Sequence, residues 1–252
     1  MTTIGWRRRV FFLVVLLTLG LAGLFGGMVV LMNVQPGFMG MAHFTEPHHR
    51  VHDLTFAILN GTAVIGMLAQ LRAPARNIAS QLMALVPFAT LLLVVALTNT
   101  WVLSPPWLLV GASVVLATMF HPAGDPLRSF SASRVDRLMV ALVAIAAVPL
   151  LAFAATSIGL QRAGPSDHAL LGHYGYMAAL SFTIIGVGLL ASARPDGWRL
   201  TAWVAGGLPV TLGLASIVYG GMDSALGLPW AIAAIAWGVV FVTAAKLRPS
   251  ST

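Results

Sequence analysis

Between positions 39 and 53 the chain reads Met39-Gly40-Met41-Ala42-His43-Phe44-Thr45-Glu46-Pro47-His48-His49-Arg50-Val51-His52-Asp53. Imidazole is the commonest protein ligand for metal ions and also coordinates haem iron. Thioether sulfur adds a soft donor that suits copper(I) or haem. Thr45 is placed to cap a helix and Pro47 to sit in its first turn. On a helix starting there, His48 and His52 are i,i+4 and share a face, and His49 and His52, at i,i+3, nearly do. A second group follows more than a hundred residues later. Ser166 is a candidate N-cap, then come Asp167 and His168, with His173 further along. On one continuous helix His173 would point about 140° away from His168, sharing its face with Tyr176 and Met177. The expected metal ligands are therefore His48, His49, His52, His168 and His173, with His52 and His173 the expected pair for a larger cofactor such as haem b. Copper is the other cofactor these residue types suit. Glu46, Asp53 and Asp167 are placed to ligate or to orient a ring from behind.

The chemistry is bounded by what the sequence lacks. It has no cysteine, so no disulfide, no thiolate metal site and no haem attached through cysteine. Neither H-E-x-x-H, nor a nucleotide-binding G-x-x-x-x-G-K-[ST] loop, nor a G-x-S-x-G elbow occurs. The histidines form a cluster rather than a signature. A seventh, His121, stands apart in Phe120-His121-Pro122-Ala123-Gly124-Asp125-Pro126, where the turn formers predict a helix stop and a turn.

The elements that must position these residues are transmembrane helices. Of 252 residues, 58% are hydrophobic and 8% charged, against roughly 25% charged in a soluble domain. Eight apolar runs free of Asp, Glu, Lys and Arg are read as helices: 10–34, 54–71, 79–99, 101–120, 138–160, 169–193, 200–219 and 228–245. The second is expected to begin earlier, near Pro47. Continuous apolarity over such lengths excludes barrel strands, which alternate over roughly 10 residues. The first run is too long for a signal h-region and has no A-x-A-like site after it, so it is read as a retained helix. The expected fold is all-α, a polytopic membrane bundle of about eight helices forming a single integral membrane domain over residues 1–252.

Charge sets the expected orientation. With the N-terminus inside, Arg7, Arg8, Arg9, Arg72, Arg76, Arg128, Arg134, Arg137, Arg194, Arg199, Lys246 and Arg248 fall in inner segments, and only Arg50 and Arg162 fall outside. The positive-inside rule then puts both termini in the cytoplasm, in a plasma (inner) membrane. The net charge of +7 is accounted for by topology and by anionic headgroups, not by nucleic acid. Trp101, Trp107 and Trp230 are expected at the outer interface and Trp6 and Trp198 at the inner one. Gly23 and Gly27, and Gly206, Gly207 and Gly213, are expected where helices touch, within the chain or between chains.

An internal repeat is also expected. His52 to Arg72 parallels His173 to Arg194, and Pro87 parallels Pro209, all at an offset of 121 or 122 residues. This suggests two four-helix units, 1–125 and 126–252, related by an axis along the membrane normal. It also predicts that the second and sixth runs pack together and bring their histidines to one place.

Four functional readings follow. The first is a redox or metal-handling protein with its site on the extracytoplasmic face. The second is a small transporter or channel-like protein whose outer histidines respond to pH. The absence of buried carboxylates counts against strong ion coupling, and a pore lined by Asn60, Gln70 or Gln81 would favour it. The third is an enzyme acting on lipid through a metal-activated water, which a lipid-accessible cleft beside the histidines would favour. The fourth is a scaffold or assembly subunit bound to further copies or other membrane subunits. The lipid bilayer is the partner common to all four.

Overall fold

The computed structural model describes residues 3–35, 47–102, 104–131 and 134–248. Met39, Met41, His43, Thr45 and Glu46 lie outside the described residues. The described chain is all-helical, with the long helices α1 (Thr3–Val34), α2 (Arg50–Gln70), α3 (Ile78–Thr98), α5 (Arg137–Arg162), α7 (His173–Ser192), α8 (Trp198–Val218) and α9 (Leu228–Lys246). Two shorter helices are α4 (Pro105–Met119) and the single turn α6 (Asp167–Leu170).

Among the described residues, seven helices are long and apolar enough to cross a membrane. The run 101–120, expected to be a full span, is helical only over the 15 residues of α4. The cause is local: Ser104-Pro105-Pro106 sets the helix start, since proline fits the first turn but cannot continue a helix backwards. At about 1.5 Å per residue α4 is about 22 Å long, short of the hydrocarbon core.

The middle of the bundle is α2, α3, α7 and α8, whose spans are more than half buried, while α1, α5 and α9 lie mostly on the outside. The two halves show the same adjacencies. In the first, α1 packs on α2 and α4, and α3 on α2 and α4; in the second, α5 packs on α7 and α9, and α8 on α7 and α9. The halves meet through α2 and α3 against α7 and α8.

Polar residues within the apolar helices are used for contacts between them. Asn60 Nδ2 donates to the Ala22 carbonyl across α2 and α1, and Gln81 Nε2 donates to Thr118 Oγ1 across α3 and α4. Thr90 meets Thr183 across α3 and α7. In a medium without water these bonds satisfy groups that would otherwise be costly to bury. Asn60 and Gln81 thus tie neighbouring helices together, and Gln70 donates to the Asn77 carbonyl and faces His121 at the end of α2.

Within the chain, the small-residue expectation is met at Gly206 and Gly213. A Cβ on Gly206 would stand 2.6 Å from the Gly238 carbonyl oxygen, and one on Gly213 2.6 Å from the Ala231 carbonyl oxygen, so α8 and α9 lie close along these positions. Gly23, Gly27 and Gly207 face nothing within 4 Å; on α1 it is Gly26 that meets a neighbour, Asn60. The G-x-x-x-G pair is therefore not an internal contact, because α1 turns that stripe outward. The belt reading also changes for two tryptophans. Trp107 is buried among Phe56, Phe88 and Tyr176, and Trp198 is buried beneath the guanidinium groups of Arg194 and Arg199. Trp6, Trp101 and Trp230 are exposed.

Candidate metal centre

Four histidines from three chain segments converge at one end of the bundle. His49 closes a single 3₁₀ turn, Pro47–His49, that leads directly into α2, and His52 lies in the first turn of α2. His168 belongs to α6 and His173 is the first residue of α7. All four are buried, between 1% and 7% exposed. One ring nitrogen from each lies within 4.8 Å of all the others.

The break between α6 and α7 makes this possible, and it overturns the expectation that His173 points away from His168. That expectation assumed one continuous helix. Gly172 instead adopts φ +74°, a left-handed conformation that costs glycine little. The turn rotates His173 back onto His168, so that their Nδ1 atoms are 3.1 Å apart. The backbone groups exposed by the break are satisfied by Gln161 of α5. Its Nε2 donates to the Ala169 carbonyl at 2.7 Å and its Oε1 accepts from Gly175 N–H at 3.0 Å. Ser166 caps α6 as expected, accepting from Ala169 N–H.

His173 is the hub. Its Nδ1 faces His168 Nδ1 at 3.1 Å and His49 Nδ1 at 3.2 Å. The His52 ring stacks on His173, centroids 4.8 Å apart and planes 18° from parallel. His48 packs on His49 and edge-on to His168, with centroids 4.2 and 5.3 Å away, but is not one of the four.

The loop between α8 and α9 closes the cluster from outside. Asp223 Oδ2 lies 3.0 Å from His168 Nε2, and Ser224 Oγ lies 2.9 Å from His52 Nε2. An ionised carboxylate can only accept, so His168 Nε2 carries a proton and donates it. In the neutral ring, Nδ1 is then a bare lone pair facing His173. This is the carboxylate–histidine arrangement that fixes tautomer and ring orientation behind a metal ligand. Ser224 is itself held at φ +62°, a conformation uncommon outside glycine. Neither Asp223 nor Ser224 stood out in the sequence. The one available signal was that Asp223 is among only seven acidic residues and falls in a connection at the histidine end.

Below the cluster the packing is apolar and aromatic. Thr55 Oγ1 donates to Met177 Sδ at 3.1 Å, and Tyr176 OH donates to the Val102 carbonyl at 3.1 Å. Asp53 is buried one position after His52. His121 lies at the opposite end of α2. Its Nε2 faces Gln70 Oε1 at 3.3 Å and its Nδ1 accepts from Ala123 N–H. That end is about 27 Å from His52 along α2.

No protein-family model matches the chain, and no curated protein or solved structure is significantly similar to it. The functional argument therefore rests on the site itself.

Four imidazoles with convergent nitrogens form a donor set for a transition-metal ion. Zinc–imidazole bonds of about 2.0–2.1 Å in a tetrahedron put neighbouring nitrogens about 3.3 Å apart. The observed 3.1 and 3.2 Å around His173 are close to that spacing. With His173 Nδ1 protonated these contacts are N–H···N hydrogen bonds; with it deprotonated, a cation among the lone pairs takes the proton's place.

Proposed function

We propose that this is a multi-pass membrane metalloprotein that holds one copper or zinc ion through His49, His52, His168 and His173. The site would lie at the extracytoplasmic end of the bundle. The observation that carries this reading is the burial of four ring nitrogens within 4.8 Å of one another, backed by Asp223 on His168. Of the four rings, His52 Nδ1 is buried with no hydrogen-bond partner among the described residues, a cost that a bound ion would remove.

A single ion is favoured over haem b. Two axial ligands of one haem stand on opposite faces of the macrocycle, whereas the His52 and His173 rings lie stacked side by side. The orientation rests on charge. Arg50 and Arg162 border the histidine end, and the other described basic residues fall in the segments at the opposite end, which the positive-inside rule assigns to the cytoplasm. The repeated helix adjacencies support descent from a duplicated four-helix unit, with His52 and His173 as matching positions.

A second reading is favoured by one observation: metal-dependent chemistry on a lipid. An apolar cleft of about 650 Å³ lies between α5, α8 and α9, lined by Pro149, Phe153, Pro209, Trp230 and Trp237. It reaches Leu226, three residues beyond Asp223. Such chemistry would require one histidine to leave the metal, because a catalytic site keeps a position open for water.

The test is metal analysis together with an optical spectrum on protein purified in detergent without chelators. One equivalent of copper or zinc, no Soret band, and loss of the metal in His49→Ala and His173→Ala are expected. Protein that carries no metal and takes up neither ion on titration would sink the proposal. A Soret band that shifts on reduction would return the weight to haem.

A further inference from the structure

The end of the bundle opposite the histidines carries a second built site. A cleft of about 550 Å³ is lined by Arg7 and Arg8 of α1, by Arg72, Pro74 and Arg76 of the α2–α3 connection, and by His121 after α4. This volume is in the range of small-ligand pockets. The four guanidinium groups come from two segments far apart in sequence, so the fold itself assembles them.

The walls are held in place without neutralising the charge. Arg7 donates one N–H to the Met119 carbonyl at 3.2 Å, which fixes α1 against the end of α4. Arg8 lies over the Phe12 ring. His121, only 2% exposed, is wedged between Gln70, Ala123 N–H and the Phe11 ring. Among the described residues no carboxylate pairs with Arg7, Arg8, Arg72 or Arg76. The acidic groups at this end are committed to other partners: Asp125, beside Gly124 at the rim, to Arg128; Asp196 to Arg134; and Asp136 to Arg248. Four arginines lining one cleft give it a positive potential that favours an anion. Their flat, forked donors suit the oxygens of a phosphate.

We propose that this cleft binds a phosphate ester, with the four arginines as its ligands. The position favours the headgroup of an anionic phospholipid, since basic pockets between helices at a membrane surface recognise such headgroups. A water-soluble phosphate ester offers the same chemistry, and the test separates the two. The site is independent of the proposed metal centre about 27 Å away along α2.

The experiment measures binding to the full chain in uncharged detergent, by native mass spectrometry and by thermal shift. The probes are phosphatidylglycerol, phosphatidylcholine and glycerol 3-phosphate. The parent is expected to bind phosphatidylglycerol and not phosphatidylcholine. Arg72→Gln/Arg76→Gln is expected to weaken that binding about 30-fold, as for the loss of two arginines near a membrane surface. A control of equal charge, Arg137→Gln/Arg199→Gln, is expected to change it by less than about threefold. If the double variant does not fold, Arg8→Gln alone is expected to cost about fivefold. Binding of glycerol 3-phosphate with the same dependence on Arg72 and Arg76 supports the phosphate site and assigns it to a soluble ester. Equal binding by parent and variants, or equal loss in the control pair, overturns the proposal.

Discussion

The sharpest test of the metal centre is a residue that would not touch the metal. Asp223→Asn keeps the size of the side chain and a hydrogen-bond acceptor but removes the negative charge facing His168 Nε2 at 3.0 Å. Loss of such a partner behind a ligating histidine typically lowers metal affinity 10- to 100-fold. Here the Asp223 side chain is 59% exposed, so solvent screens part of its effect and the lower end applies. The expected loss is about tenfold, or about 1.4 kcal/mol. The assay is titration of metal-stripped protein with zinc or copper against a competing chelator, alongside thermal unfolding of the metal-free form. Metal-free stability should change little, because the Asp223 carboxylate is largely exposed and solvent-screened, and such contacts contribute about 1 kcal/mol or less. Saturating metal at 100 times its Kd should stabilise the parent by about 2.7 kcal/mol. His173→Ala, which removes the hub, should abolish tight binding. If Asp223→Asn binds metal within a factor of two of the parent, the carboxylate does not orient His168 as a ligand and the reasoning fails.

The remaining predictions concern the scaffold. Burial holds His121 well below its ordinary pKa of 6.5, at about 4. The unfolded chain then takes up this proton at higher pH than the folded one, so stability is full above about pH 6.5 and falls between 6.5 and 4, by up to about 3 kcal/mol; His121→Leu should remove that part of the pH dependence of thermal unfolding, and an unchanged profile would contradict it. Gly206→Ala would drive a methyl to 2.5 Å from Val242 Cγ2 and 2.6 Å from the Gly238 carbonyl oxygen, and should destabilise by about 1–3 kcal/mol in a detergent melt. Gly172→Ala, strained at φ +74° and 3.2 Å from Val102 Cβ, should destabilise by about 1–2 kcal/mol and also weaken metal binding by moving His173 off His168. Reporters fused at the two termini should both be active only in the cytoplasm, and activity on opposite sides would overturn the assigned orientation.

What could be read from the chain before its structure depends on the range of the interaction concerned. Helix existence is local: an uncharged apolar run long enough to span a bilayer has few alternatives, so the long helices were legible. Where local chemistry was ambiguous, boundaries were not. Ser104-Pro105-Pro106 shortens α4, but an apolar run counted by composition does not register it. The pairing of α2 with α7 was legible for another reason. An offset of 121 residues between His52 and His173 would set matching helices side by side if the halves share a fold, and α2 and α7 do pack together.

Ring orientation was the part hidden from the sequence, because it depends on backbone breaks and on loops from elsewhere in the chain. A 3.6-residue period carried across residues 168–173 sends the two rings apart; one left-handed glycine at 172 sends them together. The signal was present, since Leu171-Gly172-His173 holds the one glycine between the two histidines, and glycine there permits a helix break. It is a weak signal, because glycine is also common inside membrane helices. Gln161, Asp223 and Ser224 show the complementary difficulty. Each is an ordinary polar residue on its own segment and acquires a role only when α5 and the α8–α9 loop are brought against α6 and α2. A histidine cluster assembled this way has its candidate ligands written in the sequence as residue types, while the carboxylate against one ring and the amide that secures the turn are specified by packing. This is why the decisive perturbations lie at Asp223 and Gly172, where packing can be altered without removing any of the four imidazoles.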